Sequence, residues 1–163
     1  MESPIKTPEQ LLKYRSLEQI LAGKGGAVYA VNPADSVLAA VRQMSLHNVG
    51  FLVVLDRATL AGVLSERDCA RKALQEGRAP KDVRVGDIMV RDVFTVTLEQ
   101  TLPHCMALMH ERGVRHLPVL DQGRVAGVVS MRDLLGEVVA HHERVIRDLE
   151  IERMQILGGG TTY

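Results

Sequence analysis

Two short segments concentrate the side chains able to do chemistry, Ser65-Glu-Arg-Asp68 and Ser130-Met-Arg-Asp133. Each follows a Gly and two apolar residues, so each stands where a strand gives way to a helix. Ser-x-x-Asp is first of all a capping box. Its hydroxyl and carboxylate satisfy free N–H groups of the first turn, a contribution of about 1 kcal/mol that needs no ligand. Capping does not explain Arg67 and Arg132. A cation in the first turn opposes the helix dipole, unless it faces an anion held at those same N–H groups. A carboxylate one residue later can accept from two vicinal hydroxyls of a ribose. The residue types suit a sugar phosphate, with pure capping as the plainer alternative.

The remaining polar groups offer less. His141 and His142 are adjacent on a helical stretch and point apart, while His104, His110 and His116 lack the paired spacing of a zinc site. His116 keeps a role as a donor near a phosphate. Cys105 beside His104 has inert repeat counterparts, Ala40 and Ala39, and falls on a buried helix face. Gly23-Lys-Gly-Gly26 lacks the spacing and the Ser or Thr of a phosphate loop. The charge run from Glu143 to Arg153 reads as a solvated helix face. Nothing places a general base beside a nucleophile, so the chain is not expected to be an enzyme and no metal is expected.

Bulk composition narrows the partners. Twenty basic residues balance twenty acidic ones, which leaves no global drive toward nucleic acid or an anionic membrane. Two cysteines, Cys69 and Cys105, fit neither a metal spacing nor a disulfide framework; reduced thiols and a cytoplasmic setting follow. The longest apolar run, Val49 to Leu55, is far short of a membrane span, and Met1 to Thr7 lacks a signal pattern.

What positions the two segments is an internal repeat. Gly62-Val-Leu-Ser-Glu-Arg-Asp68 returns as Gly127-Val-Val-Ser-Met-Arg-Asp133 at an offset of 65 residues. The register runs back without a gap, pairing Val49 with Val114, Met44 with Met109, and Tyr29 with Phe94. Each copy reads as β-α-β-β-α. Strands are expected at Val28 to Val31, Phe51 to Leu55 and Leu60 to Leu64, then at Phe94 to Val96, Leu117 to Leu120 and Val125 to Val129. Ser36 and Thr101 suit N-caps, and Asn48 and Gly113 suit the left-handed position that ends a helix. The continuous apolar character of Phe51 to Leu55 implies burial on both faces. A three-stranded sheet with helices on one side needs a cover for its other side, and the second copy supplies it.

Helices flank the repeats. Thr7-Pro-Glu-Gln10 is a capping box that should open a helix through Leu11, Leu12, Tyr14, Leu17 and Leu21 to about Gly23. Val138 to Leu157 should form another, stopped by Gly158 to Gly160. The expected organisation is an N-terminal helix (1–22), a first repeat (23–80), a second repeat (81–140), a C-terminal helix (141–157) and a disordered tail (158–163).

The Gly-x-x-Ser-x-Arg-Asp segments, Arg115-His-Leu-Pro-Val119 and Val85-Gly-Asp-Ile-Met89 together resemble those of a CBS-domain pair, over about Gly23 to Val139. The module is also found in IMP dehydrogenase and in a subunit of AMP-activated protein kinase. The resemblance implies an α/β (α+β) fold in which tandem repeats pack sheet to sheet about a pseudo-twofold axis. It implies two clefts for an adenosine ligand, AMP, ADP, ATP or NAD. One cleft would use Ser130, Arg132 and Asp133, with Lys24, Ala27, Tyr29, Gly50 and Phe51 on the base side. The other would use Ser65, Arg67 and Asp68, with Met89, Asp92, Phe94, Arg115 and His116 opposite. Asp would take the ribose hydroxyls; Ser and Arg would serve the phosphate. Glu66 in place of Met131, and Arg115-His116 in place of Gly50-Phe51, make the clefts unequal. The family likeness further implies a homodimer that senses energy or redox state and acts on a target protein. The rival function is a ligand-free dimerisation scaffold.

Overall fold

The computed structural model describes residues 13–73 and 77–158. The chain runs α1 (Leu17–Gly23), β1 (Ala30–Val31), α2 (Val37–His47), β2 (Phe51–Asp56), β3 (Thr59–Ser65), and α3 (Glu66–Asp68), which passes into one π turn over Cys69–Ala73. It continues with α4 (Val85–Ile88), β4 (Val96–Thr97), α5 (Leu102–Arg112), β5 (His116–Asp121), β6 (Arg124–Ser130) and α6 (Met131–Gly158). Two three-stranded sheets result, β1-β2-β3 and β4-β5-β6. In each, the first pairing is parallel and the second antiparallel. The mixed α/β fold with duplicated sheets is the one the repeat predicts. Both first strands are shorter than expected, at two residues each.

Local signals act where the residue types place them. Ser36 and Thr101 accept from the amides of Ala39 and His104 and so start α2 and α5. Asn48 (φ 51°) and Gly113 (φ 64°) end those helices in the left-handed region. The hairpins turn through Arg57-Ala58 and Gln122-Gly123, with all four residues at positive φ, as a type I′ turn requires. A register shift between Val54 and Leu55 recurs between Val119 and Leu120. The duplication thus copied a β-bulge that sequence alone did not reveal.

Each repeat has its own core. Val37, Met44, Leu52, Val54 and Leu64 fill the first; Leu102, Met109, Leu117, Val119 and Val129 fill the second. Leu52, Val53 and Val54 all have zero exposure, so β2 is buried on both faces as expected. The faces away from the helices meet, with β3 against β6 and the Phe51 ring stacked on His116 at 4.5 Å.

The flanking segments cross over. Leu17, Ile20 and Leu21 of α1 precede the first repeat yet pack into the second core. Val83, Val85, Ile88 and Met89, counted with the second repeat by sequence, pack into the first. Glycines permit both contacts. A Cβ at Gly62 would lie 2.7 Å from the Val90 carbonyl, and one at Gly127 would lie 2.5 Å from Leu21 Cδ2.

Both flanking helices differ from expectation. Thr7 to Leu12 lies outside the described residues, and Lys13 to Ser16 is not helical. The helix begins at Leu17 because Ser16-Leu-Glu-Gln19 is itself a capping box. The Gln19 amide donates to Ser16 Oγ and the Ser16 amide to Gln19 Oε1. At the other end the second repeat's last helix and the expected C-terminal helix are one element of 28 residues, α6. Gly136 alone does not break it, since an interior Gly costs only about 1 kcal/mol. Buried Glu137 fastens α6 to the entry of α1, accepting from the Arg15 amide at 3.2 Å and from Arg144 Nη2 at 2.6 Å.

Ala58 is held at φ 69° where its repeat counterpart is Gly123. Ala58→Gly is expected to raise stability by about 0.5–1 kcal/mol, and Gly123→Ala to lower it by a similar amount. Both read as shifts of the urea midpoint at constant slope.

Candidate functional site

The two Ser-x-Arg-Asp segments open α3 and α6, and their polar atoms adopt the same arrangement. Ser65 donates to Asp68 Oδ2 through its amide (3.0 Å) and its hydroxyl (2.6 Å), while the Asp68 amide donates back to Ser65 Oγ at 3.2 Å. Ser130 and Asp133 repeat this at 2.7, 2.8 and 3.2 Å. The capping boxes therefore form. Each uses only one carboxylate oxygen. Among the described residues Oδ1 of Asp68 and Oδ1 of Asp133 have no hydrogen-bond partner. Capping and a ligand contact are thus compatible on the same side chain. Arg67 and Arg132 are both exposed at these helix starts.

The flanking crossover delivers one more group. Lys24, just past α1, reaches the second repeat, where Nζ donates to Asp133 Oδ2 at 2.6 Å and to the Val128 carbonyl at 3.0 Å. The two residues were assigned to one cleft, and they meet there, with Lys24 on the carboxylate itself. Burial disfavours the charged form of Asp133. The Lys24 ammonium and the Ser130 amide and hydroxyl overcome that, and hold its carboxyl below the ordinary value. Met89 stands 65 residues on and is buried in the first core, its sulfur against Gly62. Among the described residues no cation lies within ion-pair distance of Asp68.

The other predicted residues fall into four groups. Gly50 and Arg115 lie against the helix starts of their own repeats: their carbonyls accept from the amides of Glu66 (3.1 Å) and Met131 (2.9 Å). Phe51 and His116 form the partition between the repeats. Phe51 is paired with Ser65 and His116 with Ser130. His116, assigned by sequence to the Ser65 side, is therefore joined to the Ser130 side as well. Burial first, then the Arg115 charge, hold its imidazole below the ordinary pKa, so it is neutral at pH 7. Tyr29 and Phe94 are partly buried against the two cores, and each carries a cover from its own repeat. His47 stacks on Tyr29 at 4.1 Å and the Arg112 guanidinium lies 4.9 Å over Phe94. Ala27 and Asp92 are exposed.

Neither thiol is reactive. Burial, then the neighbouring Asp68 charge, push Cys69 up to about 11, and burial raises Cys105. Among the described residues no group of three or more His, Cys, Asp or Glu is placed to hold a metal. Two open concavities, of about 490 Å3 at the β5–β6 hairpin and about 390 Å3 on the distal part of α6, are lined by none of the predicted site residues.

The family model described as CBS domain matches residues 27–74 and 85–140. The chain belongs to the CBS-domain family. CBS-domain pairs are regulatory, ligand-binding modules. The chain is 34% identical over 155 residues to the mitochondrial CBS domain-containing protein CBSX3 of Arabidopsis thaliana, covering 90% of this chain and 75% of that one. The solved CBS-domain structure NE2398 superposes with a TM-score of 0.73 at 42% identity, over 77% of this chain and 98% of its own. The CBS pair of MJ0100, solved in complex with 5′-methylthioadenosine and S-adenosyl-L-methionine, shares the fold at a TM-score of 0.67 and 24% identity. That match covers 76% of this chain and 95% of its own.

The Lys24–Asp133 pair carries a pH signature. Asp133 has a folded pKa below its unfolded one. Its contribution is full above the ordinary carboxylate value and is lost as pH falls through the depressed folded value. Lys24→Met, which installs the counterpart residue of the other repeat, is expected to lower stability at pH 7 by about 0.5–1 kcal/mol, a value discounted for the exposure of the lysine. Urea denaturation from pH 7 down to below 3.8, the ordinary value for Asp133, should show the parent–variant gap closing as the carboxyl protonates.

Proposed function

We propose that this chain is a regulatory sensor of adenosine nucleotides, taking AMP, ADP, ATP or NAD in the clefts at Ser65–Asp68 and Ser130–Asp133. The observation that carries this reading is the half-used carboxylate. Each Asp spends one oxygen on its own helix cap and keeps the other for a donor from outside, beside an exposed Arg that the cap does not need. A ribose supplies two such donors and a phosphate suits the Arg. The architecture accommodates adenosyl compounds, since another pair of the same fold is described with two of them.

The Asp133 cleft has Lys24 in place and favours an anionic ligand. The Asp68 cleft has Glu66 at its helix start and no such lysine, so the two are expected to differ in affinity. Binding acts by favouring one arrangement of the repeats, or of paired chains, over another, and it does so only to the extent that the ligand prefers one of them. In this reading the module is not an enzyme. It works in the cytoplasm as a homodimer and reports to a target protein, with no nucleic acid or membrane partner. Among the described residues no helix is long and apolar enough to cross a membrane.

Mass spectrometry of nucleotides released from heat-denatured protein, followed by calorimetric titration with AMP, ATP and NAD, tests the reading. Asp133→Ala should weaken one site and Asp68→Ala the other, each by about 2 kcal/mol, the loss of a charged acceptor. Thermal unfolding of each variant separates lost binding from lost capping. If the parent ignores every adenosine compound, the Ser and Asp residues are caps and the chain is a scaffold.

A further inference from the structure

α6 continues well past its own repeat, and its outer side carries a seam. From Leu135 onward, residues spaced alternately four and three apart fall on one stripe. Val139, Ile146 and Arg153 occupy the first position of a heptad; Leu135, His142, Leu149 and Ile156 occupy the fourth. The five apolar members of the stripe are 48–76% exposed, although the adjacent stripe, with Leu134, Glu137 and His141, is buried against the body. This is not the frayed surface of a solvated helix. Five of the seven residues of the seam are aliphatic, the other two being His142 and Arg153.

We infer that the outer stripe of α6 is a self-association surface, on which two copies of this chain pair their C-terminal helices side by side and parallel. The inference rests on the homodimeric part of the reading above and names its interface. Three observations select a second copy as the occupant. β-Branched Val139 and Ile146 at the first heptad position, with Leu135 and Leu149 at the fourth, favour two parallel strands. The concavity of about 390 Å3 on α6 is lined by Leu149, Glu152, Arg153, Ile156 and Leu157. The first four of these are the residues that surround a first-position knob of a parallel partner. Charge is balanced as well: that knob is the partner's Arg153, which enters between Glu152 and Arg153, so the twofold sets two glutamates against the paired guanidiniums.

Area agrees with this occupant. The five stripe residues and Leu157 expose on the order of 600 Å2. The stems of Arg153 and the flanking glutamates bring this close to the ~800 Å2 that one partner contributes to a standard interface. Ile151 and Met154 point to other faces and are not used.

Sedimentation of the full chain over a concentration series tests the seam. The parent should dimerise, and Ile146→Glu and Leu149→Glu should each weaken the dimer by roughly tenfold or more. Both positions are exposed, so the circular dichroism spectrum should hold and nucleotide should still bind. Ile156→Cys should cross-link to itself under mild oxidation, because at this end of the seam like positions face each other only in a parallel pair; native Cys69 and Cys105 are buried. A dimer indifferent to both glutamates overturns the seam and leaves the homodimer standing. A parent that stays monomeric overturns both. A sensitive dimer in which Ile156→Cys fails to cross-link overturns the parallel arrangement.

Discussion

The structure depends on an exchange of covers. Each sheet has one face closed by its own helix, and neither repeat can finish the enclosure alone. The segment before the first repeat closes part of the second core, and the segment before the second closes part of the first. Gly62 and Gly127 make room for these crossings, because any Cβ there would collide with the Val90 carbonyl or with Leu21. The antiparallel bridge between Val63 and Val90 locks one crossing through two hydrogen bonds of 2.9 Å. On the other side the corresponding fastening is ionic, through Lys24 and Asp133. The repeats are interlocked rather than merely adjacent, so motion at one helix start has a covalent path into the core of the other repeat.

The same exchange dresses the two helix starts. Lys24 and Met89 are the residues at which the two crossing segments leave the opposite sheet, and they arrive beside Asp133 and Gly62 respectively. Between the two helix starts stands the Phe51–His116 stack, one ring from each sheet, each paired in register with the serine of its own repeat. A neutral imidazole is the form that stacks there without a desolvation cost, which agrees with the burial that holds His116 below its ordinary pKa.

How much of this was legible depended on whether the signal was local. Caps, turns and helix ends were readable because Ser36, Thr101, Asn48 and Gly113 act on their own backbones. The burial of β2 on both faces followed from an unbroken apolar run. The non-helical stretch before α1 was not legible, because the helix expected to run on through Tyr14 is instead opened at Leu17 by a second capping box, Ser16 to Gln19, while the Thr7 box lies outside the described residues. The unity of α6 was missed because repeat boundaries invite a break that no residue enforces. The crossed packing and the buried Glu137 clamp were not legible, since each is decided by a partner distant in sequence, and the bulge at Val54 was not because apolar residues run unbroken on both sides of it. At the candidate site the chemistry of Ser, Arg and Asp was readable, but the position of Lys24 on Asp133 was not, because it lies 109 residues away.

Duplication supplies geometry twice and leaves chemistry free to diverge. Tyr29 under His47 and Phe94 under Arg112 show the pattern: ring and cover recur at the same offset, one cover an imidazole, the other a guanidinium. Lys24 against Met89 and Glu66 against Met131 follow the same logic at the helix starts. Backbone groups are held constant by the caps, so charge is the cheapest variable left, and a single substitution moves one cleft without disturbing its twin. The last helices diverge further still. After Asp68 the first repeat widens into a π turn, while after Asp133 the second runs on as helix to Gly158, about seven more turns. The segment that starts at one cleft's carboxylate is thereby the one that leaves the body. In the proposed reading a ligand that shifts Asp133 would act at the root of the element whose outer face is open to a partner, whereas one at Asp68 would act on a segment that packs into its own core.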